Sequence, residues 1–357
     1  MVSITLPESR SGLNTMIENR GFWRDLDEIV EVAGDEVSEI VRSRVLVTGG
    51  SGFIGRWLVS TLALSALQRG FKGQVVTVSR TCPEWQQRFI SAGCLEHVHW
   101  DASQSLPSLG SFGHVFHAAV PASAQVNSEN PALMKQIIDQ GTQQLLDAFA
   151  ETETRITHLS SGAVYGLQPA DMTGFVEEWS ENPQRQIPNS EYHRGKIRAE
   201  IQLNEGAIRN HVSHARLFAF LAPFLPLDTH FAAGNFLGSA LKGEPIKITG
   251  DHRTVRSYMY GVDLVLWLIR IALKGEHKRA YNVGSEIAIT IGDLATRIAA
   301  QSRHHIEVQI NQKISSEGSV HCYFPDVTRT RRELRLESRV SLDEAIRRTL
   351  EWGYETQ

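Results

Sequence analysis

Short apolar runs rich in β-branched residues recur along the first part of the chain, separated by longer stretches with helical periodicity. Runs near 44–48, 74–79, 95–100, 113–118, 155–160 and 212–216 read as strands, because a strand buried on both faces needs no polar alternation. Segments near 53–69, 84–92, 130–150 and 190–209 read as helices. Strands and helices in alternation predict a parallel, doubly wound α/β sheet. After about residue 217 the order loosens. Helices near 230–242, 263–274, 291–302 and 341–352 mix with short strands near 246–248 and 306–310. These are expected to form a smaller mixed α/β lobe over 217–357, which pieces of 167–190 join. Residues 1–41 precede the first strand. Phe22, Trp23, Leu26, Ile29 and Val30 give them one apolar helical face,. That face packs on this subunit or a neighbour, or belongs to a regulatory arm.

The first strand runs into Gly49, Gly52 and Gly55, spaced by three. Gly49 suits a tight turn, Gly52 lets a diphosphate approach the backbone, and Gly55 lets the next helix pack closely. The free N–H groups at the helix start, from Phe53, Ile54 and Gly55, then face a diphosphate. No Gly-Lys-Ser/Thr follows, so this is not the phosphate loop of nucleotide hydrolases. The turn makes residues 42–216 a Rossmann-type domain for NAD(P). A glycine-rich turn without a ligand is the plainer alternative.

Tyr192 and Lys196 stand four residues apart on one predicted helix, which Asn189 or Ser190 caps,. A free tyrosine ionises near pH 10, and a neighbouring ammonium favours its phenolate. Chance spacing produces such pairs, so the glycine turn is what gives this one meaning. Between the two, the strand Ile156–Ser160 ends at Ser161. Chemistry in parallel sheets sits beyond the carboxyl ends of strands, where a serine hydroxyl can bind a substrate oxygen. It can equally satisfy a local turn.

Thr48 to Gly55, Ser161 and the Tyr192/Lys196 pair resemble the extended short-chain dehydrogenase/reductase superfamily, and within it the nucleotide-sugar epimerases and dehydratases. The likeness covers roughly 42–353. It implies Ser161, Tyr192 and Lys196 as catalytic residues. It implies that Ala118 and Ala119, after His117, lie beside the nicotinamide ribose, and that Asp101 contacts adenine. It implies that Arg216 opens the substrate region, that Asn235 binds substrate, and that Arg256 grips the sugar-nucleotide diphosphate, a task that suits a planar guanidinium. It also implies a homodimer through helices 130–150 and 190–209.

The chain departs from the resemblance at Gly162 and Ala163, where dehydratases carry an acid and a glutamate. Glycine and alanine move no protons. This argues against water elimination and, by similar logic, against glutamate-assisted decarboxylation. Glu177 and Glu178 are the acids that could substitute from a loop. The segment Ala222–Phe231 either shapes sugar specificity or packs. Cofactor choice turns on Ser79 and Arg80 at the end of the second strand. An acidic residue there would bind the ribose of NAD, whereas this pair suits a 2′-phosphate and tilts the choice toward NADP.

Composition narrows the field further. Hydrophobic residues make up 41%, and the formal charge of −4 offers no basic surface for nucleic acid,. Cys82, Cys94 and Cys322 are an odd count without metal spacing, which points to a reducing compartment and no metal. The histidine pairs 97/99, 114/117 and 304/305 have no cysteine partners. The polar N-terminus, with Glu8 and Arg10, shows no leader pattern. The longest apolar run, Leu217 to Leu227, holds two prolines and is too short to span a membrane,. The expectation is a cytoplasmic NAD(P)-dependent epimerase acting on a nucleotide-diphosphate sugar through a transient ketone. A dehydratase or 4-ketoreductase of the same family is the alternative, and a non-catalytic NAD(P)-binding regulator the alternative of another class.

Overall fold

Val45 to Val47 and Val75 to Val78 are wholly buried, so their backbone polar groups must pair within a sheet,. In the computed structural model, which describes residues 20–119, 127, 129–207, 209–227, 231–310 and 320–356, they do. The strands β1 (Val45–Thr48), β2 (Val75–Ser79), β3 (Leu95–His99), β4 (His114–His117), β5 (Arg155–Ser161) and β6 (His211–Leu217) lie parallel. β7 (Ile246–Ile248) and β8 (Val255–Arg256) leave this sheet, and β9 (Arg279–Val283) returns to it beside β6. The order is β3-β2-β1-β4-β5-β6-β9. It reverses direction between β1 and β4, which opens a crevice at their carboxyl ends.

Alternate side chains of the strands serve opposite faces. Val45 and Val47 enter one core with α1 (Arg20–Val41), α2 (Phe53–Gln68) and, further along the chain, the helix Gly261–Lys274. Leu46 points the other way, to Phe149 of the helix Pro131–Phe149 and Leu203 of Glu191–Gly206. In chain order the helices are α3 (Glu84–Ser91), α4 (Pro131–Phe149), α5 (Glu191–Gly206), α6 (Ala232–Lys242), α7 (Gly261–Lys274), α8 (Ile291–Gln301), α9 (Thr328–Leu334) and α10 (Leu342–Glu355). The remaining strands β10 (Ile289–Thr290), β11 (Val308–Ile310) and β12 (Cys322–Tyr323) build two small sheets, β10-β8-β12 and β11-β7.

The sequence expectation missed β8, β9, β10, β12 and α9, and it fell short on the extent of α1. β9 was hidden because its buried positions include Tyr281 and Asn282 rather than an aliphatic run. The N-terminal segment is a helix, but a longer one than its apolar residues announced. Leu26, Ile29, Val37 and Ile40 are fully buried against α2 and α7. Asp25 ties it further: Tyr260 Oη donates to Oδ2 at 2.5 Å and Arg348 Nη1 to Oδ1 at 2.8 Å. The helix therefore packs on its own subunit; the first 19 residues lie outside the described ones. Leu26→Ala should lower stability by about 2–5 kcal/mol, read as a lower urea midpoint. An unchanged midpoint would mean a detachable arm.

Candidate active site

The glycine turn closes as the spacing requires. Gly49 has φ +70°, and a Cβ there would stand 2.7 Å from the Ala118 carbonyl oxygen. A Cβ on Gly55 would collide with the Gly49 carbonyl oxygen. No side chain caps α2 at Gly52. The first helical bond runs from Arg56 N–H to Gly52 O, 2.8 Å, so the N–H groups of Phe53, Ile54 and Gly55 precede the ladder and face the turn. Thr48 Oγ1 accepts from Ala118 N–H at 3.0 Å and Ala119 N–H at 3.1 Å, locking the end of β4 against the turn. A dinucleotide diphosphate fits this cradle: open backbone, helix dipole and no blocking side chain.

At the end of β2, Ser79 turns inward. Its hydroxyl donates to Thr81 O at 2.8 Å and lies 3.1 Å from His97 Nε2. Arg80 is exposed, whereas Ser79 is buried. Asp101 Oδ1 accepts from Ser103 N–H at 2.9 Å and Ser103 Oγ–H at 2.8 Å. Those bonds hold the carboxyl below its ordinary value.

β5 delivers Ser161 to the same edge of the sheet. The chain turns at once into a 3₁₀ segment, Gly162–Tyr165, and Ser161 Oγ accepts from Ala163 N–H at 3.1 Å. Ser190 occupies the cap position of α5, but its side chain does not cap. Asn127 does so from across the cleft, its Oδ1 accepting Tyr192 N–H at 2.9 Å. This residue was invisible to spacing arguments because its partner is 65 positions away.

Tyr192 and Lys196 point the same way, with Lys196 Nζ 5.9 Å from the Tyr192 ring centre. Lys196 Nζ donates to Leu159 O at 2.8 Å. Burial lowers its pKa to about 8, resisted by the charge of Glu200. The lowering expected for Tyr192 is not what the structure gives. Burial raises its pKa, opposed by a hydrogen bond with Ser161. At this separation the ammonium is outweighed by desolvation. Behind Lys196 lies a row of buried, neutral imidazoles, His117, His158 and His214, with His158 Nδ1 and His214 Nδ1 3.1 Å apart.

Several candidates lie elsewhere. Arg216 does not open onto substrate. Its guanidinium holds Glu200 through Nε at 3.0 Å and Nη2 at 2.7 Å, and donates from Nη1 to Tyr165 Oη and Glu177 O. Glu177 Oε1 accepts Asn282 N–H at 2.9 Å, and Glu178 pairs with Arg329. Both acids are thus committed to the fold. Asn235 sits exposed on the first turn of α6. The loop from Ala222 to Leu227 packs: Trp57 Nε1 donates to Pro223 O at 3.1 Å, and Arg56 lies 3.4 Å over the Phe224 ring. Residues 228–230 lie outside the described ones.

Arg256 is brought toward the Ser161 turn by a residue the sequence reading missed. Tyr323 of β12 pairs with Arg256 of β8, and the guanidinium stands 5.7 Å over its ring. No signal short of the three-dimensional fold could have brought position 323 to Ser161. Among the described residues no histidine, cysteine or carboxylate group could hold a metal, and no helix is long and apolar enough to cross a membrane.

Known proteins resemble this chain in sequence and in fold. The chain is 28% identical over 313 residues to UDP-glucuronic acid decarboxylase 2 of Arabidopsis thaliana, covering 85% of this chain and 66% of that protein. Its fold is similar to the UDP-glucose 4-epimerase of Thermotoga maritima solved with UDP-glucose, with TM-score 0.73, 24% identity, and coverage of 87% and 98%. It is also similar to WbmF of Bordetella bronchiseptica solved with NAD+ and UDP, with TM-score 0.70, 21% identity, and coverage of 88% and 93%. A model of the NAD dependent epimerase/dehydratase family matches residues 45–284. That stretch runs from β1 past β9 and takes in the glycine turn, Ser161, Tyr192 and Lys196, and the chain belongs to this family.

Proposed function

We propose that the protein is an NAD(P)-dependent epimerase of a nucleotide-diphosphate sugar, working through a transient keto-sugar. One observation carries the reading: buried Ser161 at the end of β5 stands with partly buried Tyr192 and buried Lys196 of α5, while Gly162 and Ala163 bring no ionisable group beside them. The turn at Gly49, Gly52 and Gly55 would hold the dinucleotide diphosphate, with Phe53 and Ile54 at the helix start. Ala118, Ala119 and Lys196 would lie along the nicotinamide ribose, and Arg80 and Asp101 toward the adenosine end. The bound nicotinamide supplies the hydride acceptor. Tyr192 takes the proton from the sugar hydroxyl, Ser161 hydrogen-bonds the resulting carbonyl oxygen, and Lys196 stabilises the ionised Tyr192. Arg256 and Asn235 are assigned to the substrate, Arg256 to its diphosphate. WbmF was solved with NAD+, while the exposed Arg80 suits the 2′-phosphate of NADP; competition between the two cofactors decides. α4 and α5, with Leu133 and Ile201 exposed, are the surfaces through which a homodimer would form.

The sequence relative in Arabidopsis favours a second reading, decarboxylation of a uronic-acid nucleotide. A ketone at C4 would place the C6 carboxylate β to a carbonyl, so carbon dioxide could leave without a further acid. Incubation with UDP-, dTDP-, CDP- and GDP-sugars, followed by mass and NMR, separates the outcomes. An isomer of unchanged mass supports epimerisation, and loss of carbon dioxide or water overturns it. No product from any sugar would leave a binding role.

The pH profile follows from the two shifted groups. Tyr192 lies above its ordinary value and Lys196 near 8. The phenolate of Tyr192 is the form that accepts the sugar proton, and Lys196 carries its stabilising charge below about 8. Turnover should therefore rise with pH toward the Tyr192 titration, about tenfold per unit below it. A flat profile between pH 6 and 8 would contradict this assignment.

A further inference from the structure

Two phenols converge on one hydroxyl in this site. Tyr323 reaches Ser161 from the opposite side of the fold, between the rings of Phe218 at 4.9 Å and Phe175 at 6.3 Å. The space it enters exists because residue 162 is glycine. A Cβ there would stand 2.6 Å from Tyr323 Oη and 2.7 Å from the Phe218 ring. The position next to the catalytic serine, empty of its own side chain, is thus filled by a hydroxyl from β12.

The Tyr323 hydroxyl stands beside Gly162, next in the chain to Ser161, and the Tyr192 phenol faces the same serine. Its oxygen has two lone pairs and one hydrogen. Ala163 N–H already takes one lone pair, at 3.1 Å. One lone pair and one hydrogen remain for two phenols, so both cannot donate. We propose that Tyr323 is a positioning residue whose hydroxyl donates to Ser161 and thereby fixes the Ser161 hydrogen toward the Tyr192 oxygen. Burial, followed by the charge that Tyr192 carries when ionised, pushes the Tyr323 phenol far above its ordinary value, so its hydrogen stays available to give. The Ser161 hydrogen then favours the Tyr192 phenolate, and the same orientation serves the carbonyl oxygen once the sugar is oxidised. Without the Tyr323 hydroxyl, the freed lone pair of Ser161 can accept from Tyr192 itself and hold it protonated. The inference rests on Tyr192 being the base.

The test titrates Tyr192 directly. Ultraviolet difference spectra between the native protein and Tyr192→Phe isolate its ionisation, and the same pair in a Tyr323→Phe background isolates the effect of the second phenol. The expected result is an upward move of about one pH unit, with kcat about tenfold lower on the acid limb, recovery at high pH, and an unchanged KM. Gly162→Ala supplies a second variant, since its methyl group displaces the Tyr323 hydroxyl while the phenol remains; the same upward move is expected. A Tyr192 titration that stays put in both variants, or a kcat that falls equally at every pH, would make Tyr323 a packing residue only. Full turnover in Tyr192→Phe would instead sink the base assignment, and the spectra would still report whether Tyr323 orients Ser161.

Discussion

Tyr192→Phe is expected to lower turnover by about 10² to 10⁴-fold while dinucleotide binding stays within a few-fold of native. The reason is how little else the hydroxyl does. Its ring packs against Met134, Ile138 and Ala199, and phenylalanine preserves that packing. Its backbone N–H remains bound to Asn127, and Lys196 keeps its bond to Leu159 O. What disappears is the oxygen assigned to take the sugar proton. Isothermal titration of NAD and NADP, set beside product formation by NMR, separates chemistry from binding. Turnover within threefold of native would remove Tyr192 from its role; lost cofactor binding would mean that the phenol holds the nicotinamide half instead.

The parts of this site that the sequence shows are those built from neighbours in sequence. Gly49, Gly52 and Gly55 act within one turn, and Tyr192 and Lys196 within one turn of helix, so spacing is enough. β1 and β2 were legible because burial on both faces favours apolar runs,, and β3 to β6, interrupted by histidine, serine or glutamate, from their alternation with helices. β9 was not, since Tyr281 and Asn282 are buried there with partners that only tertiary structure provides: Tyr281 Oη accepts from Glu276 N–H, and Asn282 Nδ2 donates to Phe175 O and Asp326 O. Asn127 and Tyr323 failed for the same reason, each acting across a long separation. Arg216 misled differently. An arginine at a strand end near the cleft looks like a substrate ligand, and whether its charge is free depends on a carboxylate sixteen residues earlier. The direction of the Tyr192 shift also could not be read, because charge proximity is visible in spacing and desolvation is not.

That carboxylate gives the other large effect. Arg216→Met should lower stability by about 3–5 kcal/mol at neutral pH. Both side chains are nearly inaccessible, at 7% and 10% exposure, so water cannot replace the lost partner. Burial alone would raise the Glu200 pKa, but the charge and hydrogen bonds of Arg216 overcome it and hold the group at about 2, with help from His214 and Ser160. In the native protein Glu200 therefore adds stability above its unfolded value near 4.5, which is lost as pH falls toward 2. With Arg216 gone, burial prevails and the folded pKa rises above the unfolded one. Glu200 then stabilises below pH 4.5 and loses that contribution as pH rises through its new value. The gap between native and variant should be widest at pH 8 and narrow steadily toward pH 5. Arg216→Met with Glu200→Gln removes the stranded charge while an amide oxygen can still accept from Ser160 Oγ, so it should recover much of the loss and abolish that pH dependence. Tyr165 Oη and Glu177 O lose their Arg216 donors in both variants, which leaves a residual deficit of about 1–3 kcal/mol,. Urea midpoints of the three proteins at pH 5 and 8 measure all of this. A single variant as stable as the double at pH 8 would mean that Glu200 finds water or another cation, and that this pair does not hold the floor beneath Ser160 and Lys196.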